Sequence, residues 1–222
     1  MQSSQENRSG YYFDYLLHTE KVPQKWYHRA KIEVVSQLIS SLPKGARVLD
    51  AGCGSGYITG RFSDEYEIYG IDCEREGIEF CKTHFPKGTY SVENIYSLSF
   101  PDNHFDLVVF NDAIEHLSEP HKSIAELARV MKLGSVIEIC TVNYDSWLWL
   151  FLENTWYRVM GGNCKPYDRN VHPSRLTPKS LRQLVERYLS VDRMFTRNAG
   201  MEMFIFGIKT AYGDGGRDHV RS

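Results

Sequence analysis

The chain has 222 residues, enough for one large domain and short of two of comfortable size. Hydrophobic residues make up 42% and charged residues 24%, ordinary globular usage that excludes wholesale disorder and fibrous architectures. Lys and Arg number 26 against 28 Asp and Glu, and a net charge of −2 excludes a global basic field for nucleic acid.

Residues 1–10 are polar and lack the apolar stretch of a secretory leader, and residues 213–222 read as a Gly-, Asp- and Arg-rich tail. One domain is therefore expected over residues 1–212. Trp26, Ala30, Val34, Val35, Leu38 and Ile39 recur at helical spacing, and Pro43-Lys44-Gly45 breaks that helix. Arg47–Ala51 reads as a buried strand entering a glycine-rich turn, from which a short helix runs to about residue 62. Glu67–Asp72 reads as a second strand. Residues 74–84 read as a helix with Ile78 and either Cys81 or Phe80 inward, and Thr89–Val92 as a weak third strand. Residues 106–110 form a strong fourth strand. Ser118 is placed as the N-cap of a helix carrying Ile124, Leu127 and Met131 on one face, with Gly134 ending it. Residues 136–142 read as a fifth strand.

Residues 147–152 are the longest apolar run, far short of the roughly 20 residues that span a bilayer. They sit in an insertion of about residues 144–176 that reads as a helical lid, apolar nearly all round. Four uses stand for it: a lid packed on the core, a wall of an apolar pocket, a surface resting on a membrane, or a homodimer face. The scarcity of Lys and Arg before Arg158 weakens the membrane reading. Thr177 caps a later helix with Pro178 at its first position and Leu181, Leu184 and Val185 inward. Residues 191–195 and 203–209 close the fold as an antiparallel pair around Asn198-Ala199-Gly200. Strands alternating with helices imply an α/β fold, a parallel sheet covered on both faces.

The strongest chemical signal is Asp50-Ala51-Gly52-Cys53-Gly54-Ser55-Gly56, at the end of the first strand. Glycines there allow a tight turn and close approach to a ligand. Asp72, twenty residues beyond Gly52, ends the second strand and offers a carboxylate to ribose hydroxyls. Any strand–turn–helix uses glycine, but strand, turn and spaced Asp together point to an adenosine-type cofactor. Asp50, just ahead of the glycines, repels phosphate and suits an ammonium or sulfonium. That shifts the reading from a dinucleotide to S-adenosylmethionine. Cys53 reads as a small residue filling the turn.

These motifs resemble the class I S-adenosylmethionine-dependent methyltransferases, in their small-molecule, ubiquinone-biosynthesis-like group, over about residues 25–210. Tyr69-Gly70-Ile71-Asp72 resembles the family's second-strand motif. Residues 98–108 resemble its "LPFPDNSFDLV" segment, and residues 128–134 its "ARVLKPGG" segment, with Leu133 in place of proline and Ser135 in place of the last glycine. The resemblance implies a Rossmann-like, doubly wound, seven-stranded, mostly parallel sheet with a C-terminal antiparallel hairpin. It implies S-adenosyl-L-methionine as cofactor and S-adenosyl-L-homocysteine as product. Gly52 and Gly54 would line the methionine moiety, Asp50 would support the turn, and Cys53 lies within it. Asp72 would hold the ribose and Cys73 would pack on adenine. Asn94 stands where the family usually has an Asp that accepts from the adenine amino group. Ile95 would offer a backbone N–H, and Asn111 would touch the methionine end through its backbone.

On the acceptor side, His116 lies in an Ile114-Glu115-His116-Leu117 run that follows the family's "EHL" pattern, and His172 precedes the late helix. Each is a candidate general base, with structural packing as the rival reading. Glu115 and His116 suggest a metal, but no further ligand accompanies them and none is assigned. Arg29 is a candidate partner for the cofactor carboxylate, or part of a solvated helix face. The expected partner is a small-molecule methyl acceptor, taken as an oxygen on an apolar, aromatic, glycan or lipid-like molecule. Asn111-Asp112-Ala113-Ile114 lacks the Pro-Pro-aromatic element of amino-base methyltransferases, and no basic, aromatic-interleaved tract points to RNA. RNA or protein methylation, a dinucleotide oxidoreductase and a non-catalytic cofactor binder are the alternatives. Five cysteines with no C-x-x-C pair suit a reducing, cytoplasmic setting.

Overall fold

The computed structural model describes residues 22–155 and 172–211. Much of the expected lid and the expected tail lie outside them. The helices are α1 (Val22–Ser40), α2 (Arg75–His84), α3 (Pro120–Val130), α4 (Trp147–Asn154) and α5 (Pro178–Val185). The strands are β1 (Arg47–Ala51), β2 (Glu67–Asp72), β3 (Thr89–Val92), β4 (Phe105–Asn111), β5 (Met131–Val142), β6 (Ser190–Arg197) and β7 (Glu202–Ile208).

All seven strands form one sheet in the order β3-β2-β1-β4-β5-β7-β6. β7 alone runs against the others, pairing antiparallel with both β5 and β6. Side chains alternate across β4. Val108 and Phe110 pack with Ile124 and Leu127 of α3 on one face, while Leu107 and Val109 pack with Val35 and Ile39 of α1 on the other. Burying each such side chain contributes about 1.5–3 kcal/mol, so a strand apolar on both faces belongs at the centre of the sheet.

Several local expectations are met. Thr177 caps α5 through a reciprocal bond with Ser180, and Pro178 opens the helix. Asn198, Ala199 and Gly200 turn the final hairpin with φ of 52°, 55° and 83°. Cys81 rather than Phe80 takes the buried position on α2.

Three differ. The glycine loop does not open an α-helix; it continues through turns into a 3₁₀ turn at Gly60–Phe62. Gly54 and Gly56 take φ of 51° and 69°, outside the helical region, and Ile58, Thr59 and Gly60 are poor helix formers. Glu119, not Ser118, occupies the N-cap of α3, because Pro120 takes the first helical position. That helix ends at Val130 rather than Gly134: Met131 turns extended (ψ 143°) and pairs with Phe105 as the start of β5. Gly134 (φ 79°) lies inside β5, its N–H bonded to Lys209 O at 2.7 Å.

In the insertion, Ser146 accepts from Trp149 N to start α4, which buries Trp149 and Glu153 and exposes Trp147 and Phe151. No helix among the described residues is long and apolar enough to cross a membrane.

Candidate functional site

A cleft of about 820 Å³ opens at the carboxyl ends of β1, β2 and β4. This is where strand order reverses, β2 lying on one side of β1 and β4 on the other, the usual ligand position in open α/β sheets. Gly52 (φ 76°) donates to Ile71 O at 2.8 Å, and a Cβ there would sit 2.8 Å from Ala113 Cβ. Gly54 (φ 51°) would project a Cβ into open space; its N–H donates to Asp72 Oδ2 at 2.9 Å. Asp72 Oδ1 accepts from Glu74 N at 2.9 Å. Two backbone donors thus hold the Asp72 carboxylate at the cleft, with lone pairs left for hydroxyl donors. The open space beside Gly54 and the fixed carboxylate fit an adenosine-bearing ligand.

Gly52, Gly54, Asp72, Cys73, Asn94 and Ile95 all line the cleft. Asn94 Oδ1 also accepts from Tyr96 N at 3.0 Å, which orients the amide. The exposed Cys73 thiol is pushed up by burial and then by Asp72 and Glu74. Cys53 is not a lining residue; its half-buried thiol bonds to Cys81 and is held well above the usual thiol range by that bond and by burial.

Asp50 and Asn111 are placed differently from the other candidates. The Asp50 carboxylate lies beneath the loop and accepts from Thr59 Oγ1 at 2.5 Å, and burial pushes it up to about 7. It braces the turn instead of facing a ligand. The negative charge of the cleft comes from Asp72, Glu74, Glu93 and Asp112, and no described lining residue is Lys or Arg. Such a lining disfavours a pyrophosphate and suits a cation. Asn111 is buried, and Asp112 and Ala113 line the cleft after it.

The sequence reading missed Lys31. It is fully buried and bonds to Asp112 Oδ2 and, at 3.1 Å, to Glu202 Oε1. Burial alone would lower its pKa, but Asp112 and then Glu202 outweigh it and hold the ammonium above its ordinary range. Asp112 takes a left-handed backbone (φ 48°), with its N–H on Cys140 O at 2.9 Å. The available signal was a lysine inside an apolar stripe: Lys31 lies three, four and seven residues before Val34, Val35 and Leu38.

At the acceptor end, His116 closes a 3₁₀ turn (Ile114–His116), is exposed and lines the cleft. His172, 3% exposed, stands behind it with ring centroids 4.6 Å apart in a T-shaped arrangement. Burial, then His116 and Arg175, push His172 down to about 4. Its Nδ1 lies 2.5 Å from the Tyr144 hydroxyl. Ser174 fastens this segment to the turn, donating from N to Glu115 O (3.2 Å) and from Oγ to Leu117 O (2.6 Å).

Glu115, His116 and His172 bring one ligand atom each within 4.8 Å of one another. His172 is the third donor that the sequence alone did not supply. A nitrogen-rich set of this kind suits a borderline cation such as Zn²⁺. Glu115, however, accepts from Thr141 Oγ1 at 2.8 Å and is pushed up to about 8 by burial and then Asp112. A metal would have to displace its proton.

Residues 49–139 match the family described as a methyltransferase domain. The chain is 31% identical over 119 residues to a probable S-adenosylmethionine-dependent methyltransferase of Mycolicibacterium smegmatis, covering 53% of this chain and 46% of that protein. It is 25% identical over 142 residues to a ubiquinone biosynthesis O-methyltransferase of Coxiella burnetii, covering 60% and 61%. The chain thus spans about half the length of the curated relatives it matches. In fold it is similar to a solved SAM-dependent methyltransferase of Methanosarcina mazei, with a TM-score of 0.62, 23% identity, and 78% and 97% of the two chains covered.

Proposed function

We propose, for a chain that carries a class I S-adenosylmethionine-dependent methyltransferase domain, that it methylates an oxygen of a small apolar, aromatic, glycan or lipid-like acceptor. S-adenosylmethionine supplies, when bound, an activated methyl group for in-line displacement. Asp72 accepts from the ribose hydroxyls. Gly52 and Gly54 allow close approach of the methionine portion, and Cys73, Asn94 and Ile95 form the adenine end. The acidic lining favours a sulfonium over a phosphate. His116, exposed at the cleft, accepts the hydroxyl proton as methyl transfer proceeds. His172 is too buried and too weak a base to do so, and stands behind it.

The observation that carries this reading is the Asp72 carboxylate, fixed by the Gly54 and Glu74 N–H groups at the cleft. The test is calorimetric binding of S-adenosylmethionine, S-adenosylhomocysteine and NAD to wild type and Asp72→Ala. Binding of the first two, weakened about 10²-fold in the variant, is expected for the loss of two charge-assisted bonds. Preference for NAD, or no binding, overturns the reading. Homodimerisation through the exposed Trp147 and Phe151 face is checked by sedimentation of wild type against Trp147→Ser.

A further inference from the structure

The end of the cleft beside β3 is walled by Cys73, Val92 and Ile95, which suit a flat, largely apolar ring. Two side chains there could meet the polar edge of that ring, Glu93 and Asn94. Glu93 is committed elsewhere. Its Oε2 accepts from Ser99 N at 2.9 Å, and its Oε1 from Ser99 Oγ at 2.6 Å and Ser91 Oγ at 3.2 Å. Asn94 carries both an acceptor and a donor, and the turn of its amide decides which one a ligand meets.

The neighbouring main chain makes that choice. Tyr96 N lies 3.0 Å from one end of the amide, and a main-chain N–H can only donate, so that end is the oxygen. Flipping the amide would set donor against donor. The segment carrying this N–H is pinned on both sides. Ser97 N donates to Asn94 O at 2.9 Å, Leu98 N donates to Glu126 Oε1 of α3 at 2.7 Å, and the Tyr96 hydroxyl accepts from Glu119 N at 3.3 Å. The oxygen of the Asn94 amide is thus already shared, and so is its main-chain carbonyl. What Asn94 has undivided for a ligand is its amino group, a donor.

We propose that Asn94 meets the cofactor's purine through its Nδ2 donor and leaves the 6-amino group unread. A donor at this place pairs with a ring nitrogen or with a 6-oxo oxygen and gains nothing from a 6-amino group. The base is then held by apolar contact with Val92, Ile95 and Cys73, and adenine is separated only weakly from its deaminated counterpart. This selectivity rests on the reading of the cleft as an S-adenosylmethionine site.

The test is calorimetry of the full chain with S-adenosylhomocysteine and with S-inosylhomocysteine, its 6-oxo counterpart. Wild type is expected to bind the two within about 10-fold of each other. Asn94→Asp places an oxygen where the amino group stands, which accepts from a 6-amino group and repels a 6-oxo group. The ratio should then move toward S-adenosylhomocysteine by at least about 10-fold. Asn94→Ala should weaken both ligands alike, and it decides the matter together with the wild-type ratio where circular dichroism shows Asn94→Asp unfolded. A wild type that favours S-adenosylhomocysteine by more than about 10-fold overturns the proposal. So does an unmoved ratio in folded Asn94→Asp, or an Asn94→Ala that loses S-adenosylhomocysteine alone. A wild type that binds neither ligand overturns the cofactor reading itself, an outcome distinct from one that binds S-adenosylhomocysteine and rejects the 6-oxo form.

Discussion

The two halves of the cleft are built by different means. The half under β1 and β2 is made of backbone: glycine turns, and an aspartate held by two main-chain N–H groups within a stretch of 25 residues, 50–74. The half under β4 is made of side chains from distant segments: Lys31, Asp112 and Glu202 form one cluster, and Tyr144 and His172 join Glu115 and His116 in another. Backbone turns depend on local sequence and tolerate little beyond glycine. A side-chain cluster depends on the whole fold and stands or falls by charge balance. The first half should therefore fail through binding when altered, the second through stability or turnover.

The sharpest way to break this contrast is Lys31→Met. Removing one partner from a buried ion cluster costs about 3–5 kcal/mol, so a large drop in the denaturant midpoint is expected. Adding Asp112→Asn and Glu202→Gln should restore much of it, and an unchanged midpoint in the single variant would show that the network carries no stability. Next in size are His116→Ala and His172→Ala. Each is expected to lower turnover at least about 10²-fold once an acceptor is found, with S-adenosylhomocysteine affinity kept within a few-fold. Full turnover in His116→Ala would remove it from proton transfer, and full turnover in His172→Ala would show that His116 needs no support from behind.

The third is a pH effect. Burial pushes the Glu138 carboxyl from 4.5 up to about 8. The folded state then keeps a proton that the unfolded chain has released, so stability declines as pH rises from 4.5 through 8 and is flat above. Glu138→Gln should lessen that decline and exceed wild type above pH 8, by on the order of 5 kcal/mol. Parallel melting curves for the two proteins across pH 5–9 would refute it. Gly52→Ala strikes the backbone half. With a φ of 76° and a Cβ 2.8 Å from Ala113, it should cost about 1–3 kcal/mol and weaken cofactor binding in calorimetry. The smallest is Thr177→Ala, which removes a cap far from both halves and should cost about 1 kcal/mol in thermal melts without touching ligand affinity.

Sequence legibility follows the same division. The strand boundaries at Arg47–Ala51, Glu67–Asp72 and Thr89–Val92 were readable because period, turn residues and burial agree over a few residues. Gly52, Gly54 and Asp72 were readable because their partners are close in sequence. Where two local signals competed, the reading failed. Ser118 has the better capping side chain, but the fixed φ of Pro120 decided where α3 begins. Asp50 reads both as a charge for the sulfonium and as a support for the turn; Thr59, nine residues on, draws its carboxylate under the loop into the second role. Glu115, His116 and His172 were each visible as chemistry-bearing residues. Their convergence was not, because nothing between residues 116 and 172 encodes the distance. Lys31 and Asp112 lie 81 residues apart, and only the packing of α1 on the sheet makes them one unit.

That pairing also reaches outside the homologous stretch. The stretch shared with the methyltransferase-domain family begins at residue 49, but the buried charge cluster draws on Lys31 from α1. A chain trimmed to β1 would lose the ammonium that Asp112 and Glu202 share, along with the apolar cover of Val35 and Ile39. It would carry buried acid without its counter-ion and hold together best in mildly acidic solution. The homologous stretch is therefore not balanced in charge by itself: a lysine from the helix before it completes the buried cluster.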